Sequence, residues 1–213
     1  MRASRLNVGG LTPMTTVDYP DRLAAVVFCQ GCPLRCRYCH NPKLLPRRGE
    51  KRIPWSEIVS FLERRRGLLD AVVFSGGEPT LQRALPAAIR QVREMGFEIG
   101  LHTAGIYPKR LARLLHSIDW IGLDIKALPE AYEALTGMPG SGALAWESAA
   151  LVIDCGTPHQ LRTTFHPALM SRQEKTRLQE RLQALGPLEH VWQTCRTEHC
   201  ADPALCATKT LSV

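Results

Sequence analysis

The stretch Leu23-Ala24-Ala25-Val26-Val27-Phe28-Cys29-Gln30-Gly31-Cys32-Pro33-Leu34-Arg35-Cys36-Arg37-Tyr38-Cys39 changes character once, at Cys29. Up to Phe28 it is an unbroken apolar run with paired valines, the pattern of a strand covered on both faces as in a parallel sheet. From Cys29 it becomes a short loop rich in thiols. A buried strand that ends in reactive side chains is what a parallel α/β fold predicts, because such folds gather their chemistry at the carboxyl ends of the strands.

The same sequence of events recurs along the chain. Apolar runs at Leu23–Phe28, Ala71–Ser75, Glu98–His102, Trp120–Ile125, Gln160–Phe165 and His190–Gln193 predict six strands. Between them Ser56–Arg66, Leu81–Met95, Pro108–His116, Ala143–Ile153 and Ser171–Leu185 carry the helical period, with Pro54, Pro79, Pro108 and Pro158 at their margins. Gly67, Gly96 and Gly186 stand where helix stops belong. Strands that alternate with helices imply parallel pairing with right-handed crossovers, either doubly wound or curled into an incomplete barrel. Polar motifs follow the strands in turn: the cysteine loop, Ser75-Gly76-Gly77-Glu78-Pro79, His102-Thr103, Asp124-Ile125-Lys126, and then Arg162 and His166.

The 213 residues, 45% of them hydrophobic, suffice for one sizeable core, and a single domain over 1–213 is expected. No run approaches the ~18 apolar residues of a membrane span, and the start lacks a secretory core, so the expected location is the cytoplasm. Eight cysteines there read as metal-binding or catalytic rather than as a disulfide framework. The formal charge of +7 suits an acidic protein partner; Arg47, Arg48, Lys51 and Arg52 form one basic cluster, and Arg64-Arg65-Arg66 reads as a solvated helix end. No aromatic residues interleave the basic ones, so direct nucleic-acid binding is not expected.

The cysteines permit two metals. Cys29, Cys32, Cys36 and Cys39 together offer the four thiolates of a zinc site, but only three residues separate the two Cys-x-x-Cys pairs, whereas zinc ribbons space theirs widely. A zinc protein that binds nucleic acid is the non-enzymatic alternative. Cys32-x₃-Cys36-x₂-Cys39 instead makes one wrapped loop able to hold three corners of an iron–sulfur cubane, leaving the fourth iron open to a ligand. Cys29 then ends the strand as a structural residue. Cys195, Cys200 and Cys206 are irregularly spaced, a fourth ligand would come from Cys155 or His199, and packing thiols are the preferred reading.

Cys-x₃-Cys-x₂-Cys with Tyr38 before its last cysteine resembles the signature of the radical S-adenosylmethionine superfamily, and Tyr38-Cys39-His40-Asn41 resembles its glycyl-radical-enzyme activating branch. Gly10-Leu11-Thr12-Pro13-Met14-Thr15-Thr16-Val17-Asp18-Tyr19-Pro20 looks most like the short activating proteins of anaerobic ribonucleotide reductase. The resemblance spans most of the chain and weakens after Pro167.

It implies an incomplete (β/α)6 TIM-like barrel, a 4Fe-4S cluster on Cys32, Cys36 and Cys39 with an open fourth iron, and S-adenosylmethionine as cofactor. Cofactor contacts are implied at Tyr38, His40, Gly76, Gly77, Glu78, His102, Asp124 and Lys126. The Gly76-Gly77-Glu78 motif would hold the methionine amino group, Lys126 the carboxylate, and Asp124 would orient the ammonium side. His102 stands where many relatives carry aspartate, and is read equally as structural or as a cofactor contact; Arg162 and His166 are read equally as sheet-edge residues or as the cofactor's border.

The implied reaction is abstraction of a glycine Cα hydrogen on a glycyl radical enzyme, first the large subunit of anaerobic ribonucleotide reductase. A flavodoxin or ferredoxin would supply the electron. The alternatives are a pyruvate formate-lyase-type activating enzyme and a small-molecule enzyme such as 7-carboxy-7-deazaguanine synthase. No Gly-x-Ser-x-Gly elbow or other nucleophile–base pairing is evident, as such chemistry would have it.

Overall fold

The protein is described here by a computed structural model, in which residues 1–50, 52–186, 188–198 and 200–206 are described. Seven strands form one sheet: β1 Val8–Thr15, β2 Ala24–Cys29, β3 Ala71–Gly76, β4 Glu98–Thr103, β5 Trp120–Asp124, β6 His159–Phe165 and β7 His190–Thr194. Their spatial order is the chain order, β1 to β7, with β1 antiparallel to β2 and all later pairs parallel. A doubly wound sheet would reverse its order at a switch point, so the sequential order selects the incomplete barrel.

The longer helices between the strands are α1 Trp55–Glu63, α2 Leu85–Glu94, α3 Pro108–Ala112, α4 Tyr132–Thr136, α5 Ser141–Asp154 and α6 Arg172–Gln183, and α7 Pro203–Cys206 follows β7. Their apolar residues, among them Ile58, Leu62, Ile89, Val92, Leu111, Ala149 and Leu178, join Val27, Val72, Phe74, Leu101, Ile121, Leu123 and Leu161 in the main core. Those strand residues share one face of the sheet, by the two-residue period. The helices therefore cover the outer face alone.

The inner face divides along its length. At the strand starts Ala24, Val26, Ala71, Val73 and Trp120 pack with Tyr19 into a second apolar cluster, with the Tyr19 and Trp120 rings 5.5 Å apart. This plug explains the unbroken apolar runs: both faces of the strand starts are buried. Further along, the same face carries Ser75, His102, Asp124, Arg162, Thr164 and Gln193. Register makes them a continuous row, since His102 lies beside Gly122, Asp124 beside Arg162, and Thr164 beside Gln193.

Two glycines permit close approach at this end. A Cβ on Gly122 would lie 2.8 Å from Arg162 Cζ and 2.9 Å from His102 Cδ2, so its absence gives those side chains their room. Gly76 has φ of +113°, and a Cβ there would meet the backbone nitrogen of Cys29 at 2.5 Å.

The six expected strands are present with ends shifted by at most one residue. The expected helix at Leu81–Met95 begins later, at Leu85. Gln82 is extended, and its side-chain amide donates to the carbonyls of Asn7 and Gln30 while accepting from the Asn7 N–H at 2.7 Å. The span Pro108–His116 divides into α3 and a 3₁₀ turn at Leu115–Ser117. Gly67, Gly96 and Gly186 all have positive φ, as helix stops do. Arg64 caps α1 and Arg66 is tied to the Met95 carbonyl and to Glu63, whereas Lys51 of the other basic cluster lies outside the described residues. Among the described residues no helix is long and apolar enough to cross a membrane.

The substitution Gly76→Ala combines a left-handed backbone with a clash against backbone rather than a yielding side chain. It is expected to lower unfolding stability by at least about 2 kcal/mol in urea titration. An unchanged midpoint would show that β3 does not approach the end of β2 this closely.

Candidate active site

The polar row of the inner face and the cysteine loop enclose one cavity of about 260 Å³. Cys32, Cys36 and Cys39 line it together with Ser75, Gly76 and Gly77, and with His102, Asp124, Lys126 and Arg162 from the neighbouring strand ends. Motifs separated by more than a hundred residues thus meet at one edge of the sheet. Cys29, the fourth cysteine of the cluster, is fully buried in the main core at the end of β2 and does not reach the cavity. Among the described residues no three His, Cys, Asp or Glu side chains converge on a point suited to a single metal ion. The donor set is three thiols around a cavity, which suits a cluster held at three corners better than a tetrahedral zinc ion.

The loop carrying the thiols is held by its backbone. Gly31 and Cys32 donate to the carbonyls of Leu44 and Leu45 at 2.8 and 3.0 Å, and Arg35 and Arg37 donate to Thr136 and Leu135 at the end of α4. Burial pushes the Cys32 thiol up to about 12 and raises that of Cys36, against which Lys126 pulls Cys36 downward. Thiols so placed ionise only with a positive partner, a role that iron fills.

Gly77 and Glu78 donate their backbone N–H groups to the carbonyls of Cys29 at 2.8 Å and Gly31 at 2.9 Å. The turn after β3 therefore ties down the cysteine loop, and the groups it retains for a ligand are carbonyl oxygens, which suit an ammonium.

The Glu78 side chain turns away from the cavity. It is fully buried and absent from the cavity lining. One carboxylate oxygen accepts from the Thr80 N–H at 3.0 Å, the Thr80 hydroxyl and the Thr103 hydroxyl at 2.7 Å, and the other accepts from the Ala104 N–H at 2.9 Å. Four donors hold it, three of them on one oxygen. Glu78 joins the end of β3 to the end of β4 and shapes the cavity from behind.

Asp124 sits between two cations. Arg162 donates to its Oδ1, with Nη2 at 3.0 Å and Nε at 3.1 Å, and Lys126 Nζ lies 3.6 Å from Oδ2. Burial would raise this carboxyl, but Arg162 and then Lys126 outweigh it and hold the group below the usual carboxylate range. Asp124 is thus engaged by protein cations, and the trio carries one net positive charge. Lys126 is 9% exposed, 5.6 Å above the Tyr38 ring, with its backbone N–H donated to the Tyr132 hydroxyl at 2.8 Å. Burial lowers its affinity for the proton, and Tyr38, Asp124 and Cys36 more than restore it.

His102 Nε2 lies 2.8 Å from the Asp18 carbonyl, which can only accept, so Nε2 carries the proton and Nδ1 is an acceptor toward the Ser75 hydroxyl at 3.4 Å. Burial, then the nearby Arg162, pushes the imidazole down to about 4, so it is neutral near pH 7. Tyr38 and His40 also line the cavity, and His40 donates from Nε2 to the Arg196 carbonyl at 2.7 Å. Arg162 borders the cavity; His166, buried just beyond β6, does not line it.

Among the polar lining residues, Thr164 and Gln193 are not in the sequence reading, and Asp18 and Asn41 enter it only through the family resemblance. Thr164 follows Arg162 by the two-residue period and was accessible to that argument, whereas Gln193 needs the β6–β7 register, and Asp18 and Asn41 need the loop paths. Cys195 and Cys200 are buried in the main core, in keeping with packing thiols, and Cys155 is exposed. His199 and the side chain of Cys206 lie outside the described residues.

The radical SAM superfamily profile matches residues 26–182. A pyruvate formate-lyase-activating enzyme of Clostridium pasteurianum is 32% identical over 176 residues, covering 80% of this chain and 73% of its own length. A Methanocaldococcus jannaschii protein with the provisional name glycyl-radical enzyme activating enzyme is 31% identical, covering 78% of this chain and 71% of its own. Among solved structures, QueE of Escherichia coli superposes with TM-score 0.61 at 14% identity, over 94% of this chain and 90% of that one. SuiB of Streptococcus suis bound to S-adenosylmethionine gives TM-score 0.63 at 15% identity, over 78% of this chain and 39% of that longer protein. At such identities the structures speak for the fold alone.

The substitution Glu78→Gln keeps the shape of the side chain but turns one acceptor into a donor facing donors. The expected loss is about 1–3 kcal/mol of unfolding stability, read by urea titration; a neutral effect would mean that the four bonds are not all made.

Proposed function

Because the chain belongs to the radical SAM superfamily, and within it to the glycyl-radical-enzyme activating enzymes, we propose that it activates a glycyl radical enzyme by removing a hydrogen from a backbone glycine. The observation that carries this reading is the shared cavity of Cys32, Cys36 and Cys39 with Gly76-Gly77, Asp124 and Lys126, from which Cys29 is excluded. Cys32, Cys36 and Cys39 would hold the 4Fe-4S cluster. Reductive cleavage of the S-adenosylmethionine sulfonium to a carbon radical is the chemistry that this pair of cofactors supplies when bound.

The chain's own residues bind and orient. Carbonyl oxygens of the Gly76-Gly77 turn accept the methionine ammonium, because the neighbouring N–H groups are already donated to the cysteine loop. The net positive charge of Arg162, Asp124 and Lys126 complements the methionine carboxylate, with Lys126 as the direct partner and Asp124 holding both cations in place. Neutral His102 offers Nδ1 as an acceptor beside Ser75, a polar contact that adds no charge to the cavity. Tyr38 closes the wall under Lys126 and, with the apolar plug below, keeps water from the base of the site. The scheme asks for no general acid or base.

As partner we propose the large subunit of anaerobic ribonucleotide reductase, on the resemblance of the Gly10–Pro20 segment. A formate-lyase-type enzyme is the second reading, favoured by the name of the Clostridium relative. The electron would come from an acidic carrier such as a flavodoxin or ferredoxin, attracted by the net charge of +7.

The protein purified without oxygen is expected to be brown and to carry about four irons and four sulfides per chain. Cys36→Ala should abolish the iron and the formation of 5′-deoxyadenosine together; zinc in place of iron would refute the site. With cofactor and reductant, the reductase subunit is expected to acquire a glycyl radical seen by electron paramagnetic resonance. A radical on a formate-lyase-type enzyme alone would overturn the partner and leave the chemistry standing. Reduction by an acidic carrier should slow as salt rises, because the screening length falls from about 10 Å at 0.1 M to about 3 Å at 1 M. Indifference to salt would remove the electrostatic argument.

A further inference from the structure

The superfamily profile ends at residue 182, yet the chain that follows returns to the cysteine loop. After β7 the segment runs back across residues 37–40 and touches them four times. Ala201 donates its N–H to the Cys39 carbonyl at 3.0 Å, and Asp202 donates its own to the Arg37 carbonyl at 3.0 Å. The Asp202 carboxylate accepts from Arg37 Nε at 2.8 Å. His40 donates to the Arg196 carbonyl at 2.7 Å. The segment is itself anchored, since Cys195, Cys200 and Leu205 are buried in the main core.

The other edge of the loop is held differently. Its N–H groups at Arg35 and Arg37 go to the carbonyls ending α4, while its carbonyls at Arg37 and Cys39 receive N–H groups from the returning segment. The thiol-bearing loop is therefore suspended between two elements, one inside the family-matched region and one beyond it. Cys39 is the corner on which the outer element bears.

We infer that Arg196, Ala201 and Asp202, in the segment returning after β7, form a clasp that positions Cys39 as a cluster ligand, with Arg37 and Asp202 as its positioning pair. The inference rests on the reading of Cys39 as a ligand. Outer partners of a metal ligand fix its orientation and tune its hold on the metal. Here the partner bonds the ligand's own peptide unit and its flanking residues, so the clasp restricts where the Cys39 thiolate can lie. The Arg37–Asp202 pair is partly exposed, with side chains 46% and 20% accessible, and such pairs add little to global stability. Its effect is thus expected in the cluster rather than in the melting temperature.

The test uses the full chain, reconstituted without oxygen, in Asp202→Ala, Arg37→Ala, the double variant and Asp202→Asn. Asp202 also accepts from the Ala204 N–H, so Arg37→Ala serves as the variant that spares that bond. Iron transfer to a ferrous chelator and the electron paramagnetic resonance line shape of the reduced cluster are measured beside the melting temperature. Loss of the pair is expected to speed iron transfer about tenfold and alter the line shape with little change in melting. The double variant should be no worse than Asp202→Ala, as for residues that act through each other, and Asp202→Asn should fall between Asp202→Ala and the parent.

Unaltered iron transfer and line shape in Arg37→Ala would overturn the clasp, as would iron loss that only follows a lowered melting temperature. Cys39→Ala separates the two levels. If it loses the cluster while the pair variants behave as the parent, the clasp alone is wrong; if it retains the cluster, the ligand assignment fails first.

Discussion

Every functional feature of the molecule depends on the way the sheet is covered. Helices occupy the outer face along its whole length, and the Tyr19–Trp120 plug occupies the inner face at the strand starts. That leaves the inner face at the strand ends as the place where polar side chains can stand without being buried unpaired, a condition that is costly to violate. The same strands accordingly change from Val73 to Ser75 and from Gly100 to His102 within one repeat of the pleat, and from Trp120 through Gly122 to Asp124 within two. Glu78 then fixes the spacing between two of these ends, because its four acceptor bonds reach from the turn after β3 to the residues closing β4. The backbone of the same turn holds the cysteine loop, so a displacement at Glu78 would be transmitted to the thiols.

Charge within the cavity follows from this crowding. Arg162 and Lys126 are too enclosed to lose their counter-ion without cost, and Asp124 serves both. A second carboxylate from a ligand can enter because the trio remains one charge positive. His102 is pushed toward neutrality by burial and by Arg162, which keeps the excess at one rather than two. The Arg162–Asp124–Lys126 trio, with its one net positive charge, and the turn after β3 are thus the groups that the cavity offers to a charged ligand.

Much of this was legible in the sequence, for identifiable reasons. Strands buried on both faces advertise themselves as continuous apolar runs, and a polar motif directly after such a run can hardly lie elsewhere than the strand's end. Cys29 was separable from its neighbours because it closes a strand. β1 was not read, since Gly9, Gly10 and Pro13 carry the composition of a loop, and its antiparallel pairing with β2 is an edge arrangement that tolerates them. The direction of the Glu78 side chain is not legible, because a motif names residues without saying which way a side chain turns. The donors that claim it, Thr80, Thr103 and the Ala104 amide, are partly remote in sequence. Gln193 could be found only through the register of β7, and Gln82 broke the expected helix for a tertiary bond to Asn7 that local periodicity does not encode.

The extent of the family profile and the extent of the site do not coincide. Residues 26–182 include the cysteine loop, the turn after β3, and the charged ends of β5 and β6, yet the wall is continued by Gln193, and the loop's outer edge is bonded by Arg196, Ala201 and Asp202. At the other end Asp18, outside the profile as well, supplies the carbonyl that fixes the tautomer of His102. The matched region thus carries the groups that define the chemistry, while the flanking regions set the geometry in which those groups are held. The bonds from Ala201 and Asp202 to the cysteine loop brace it with backbone, which a sequence motif cannot display.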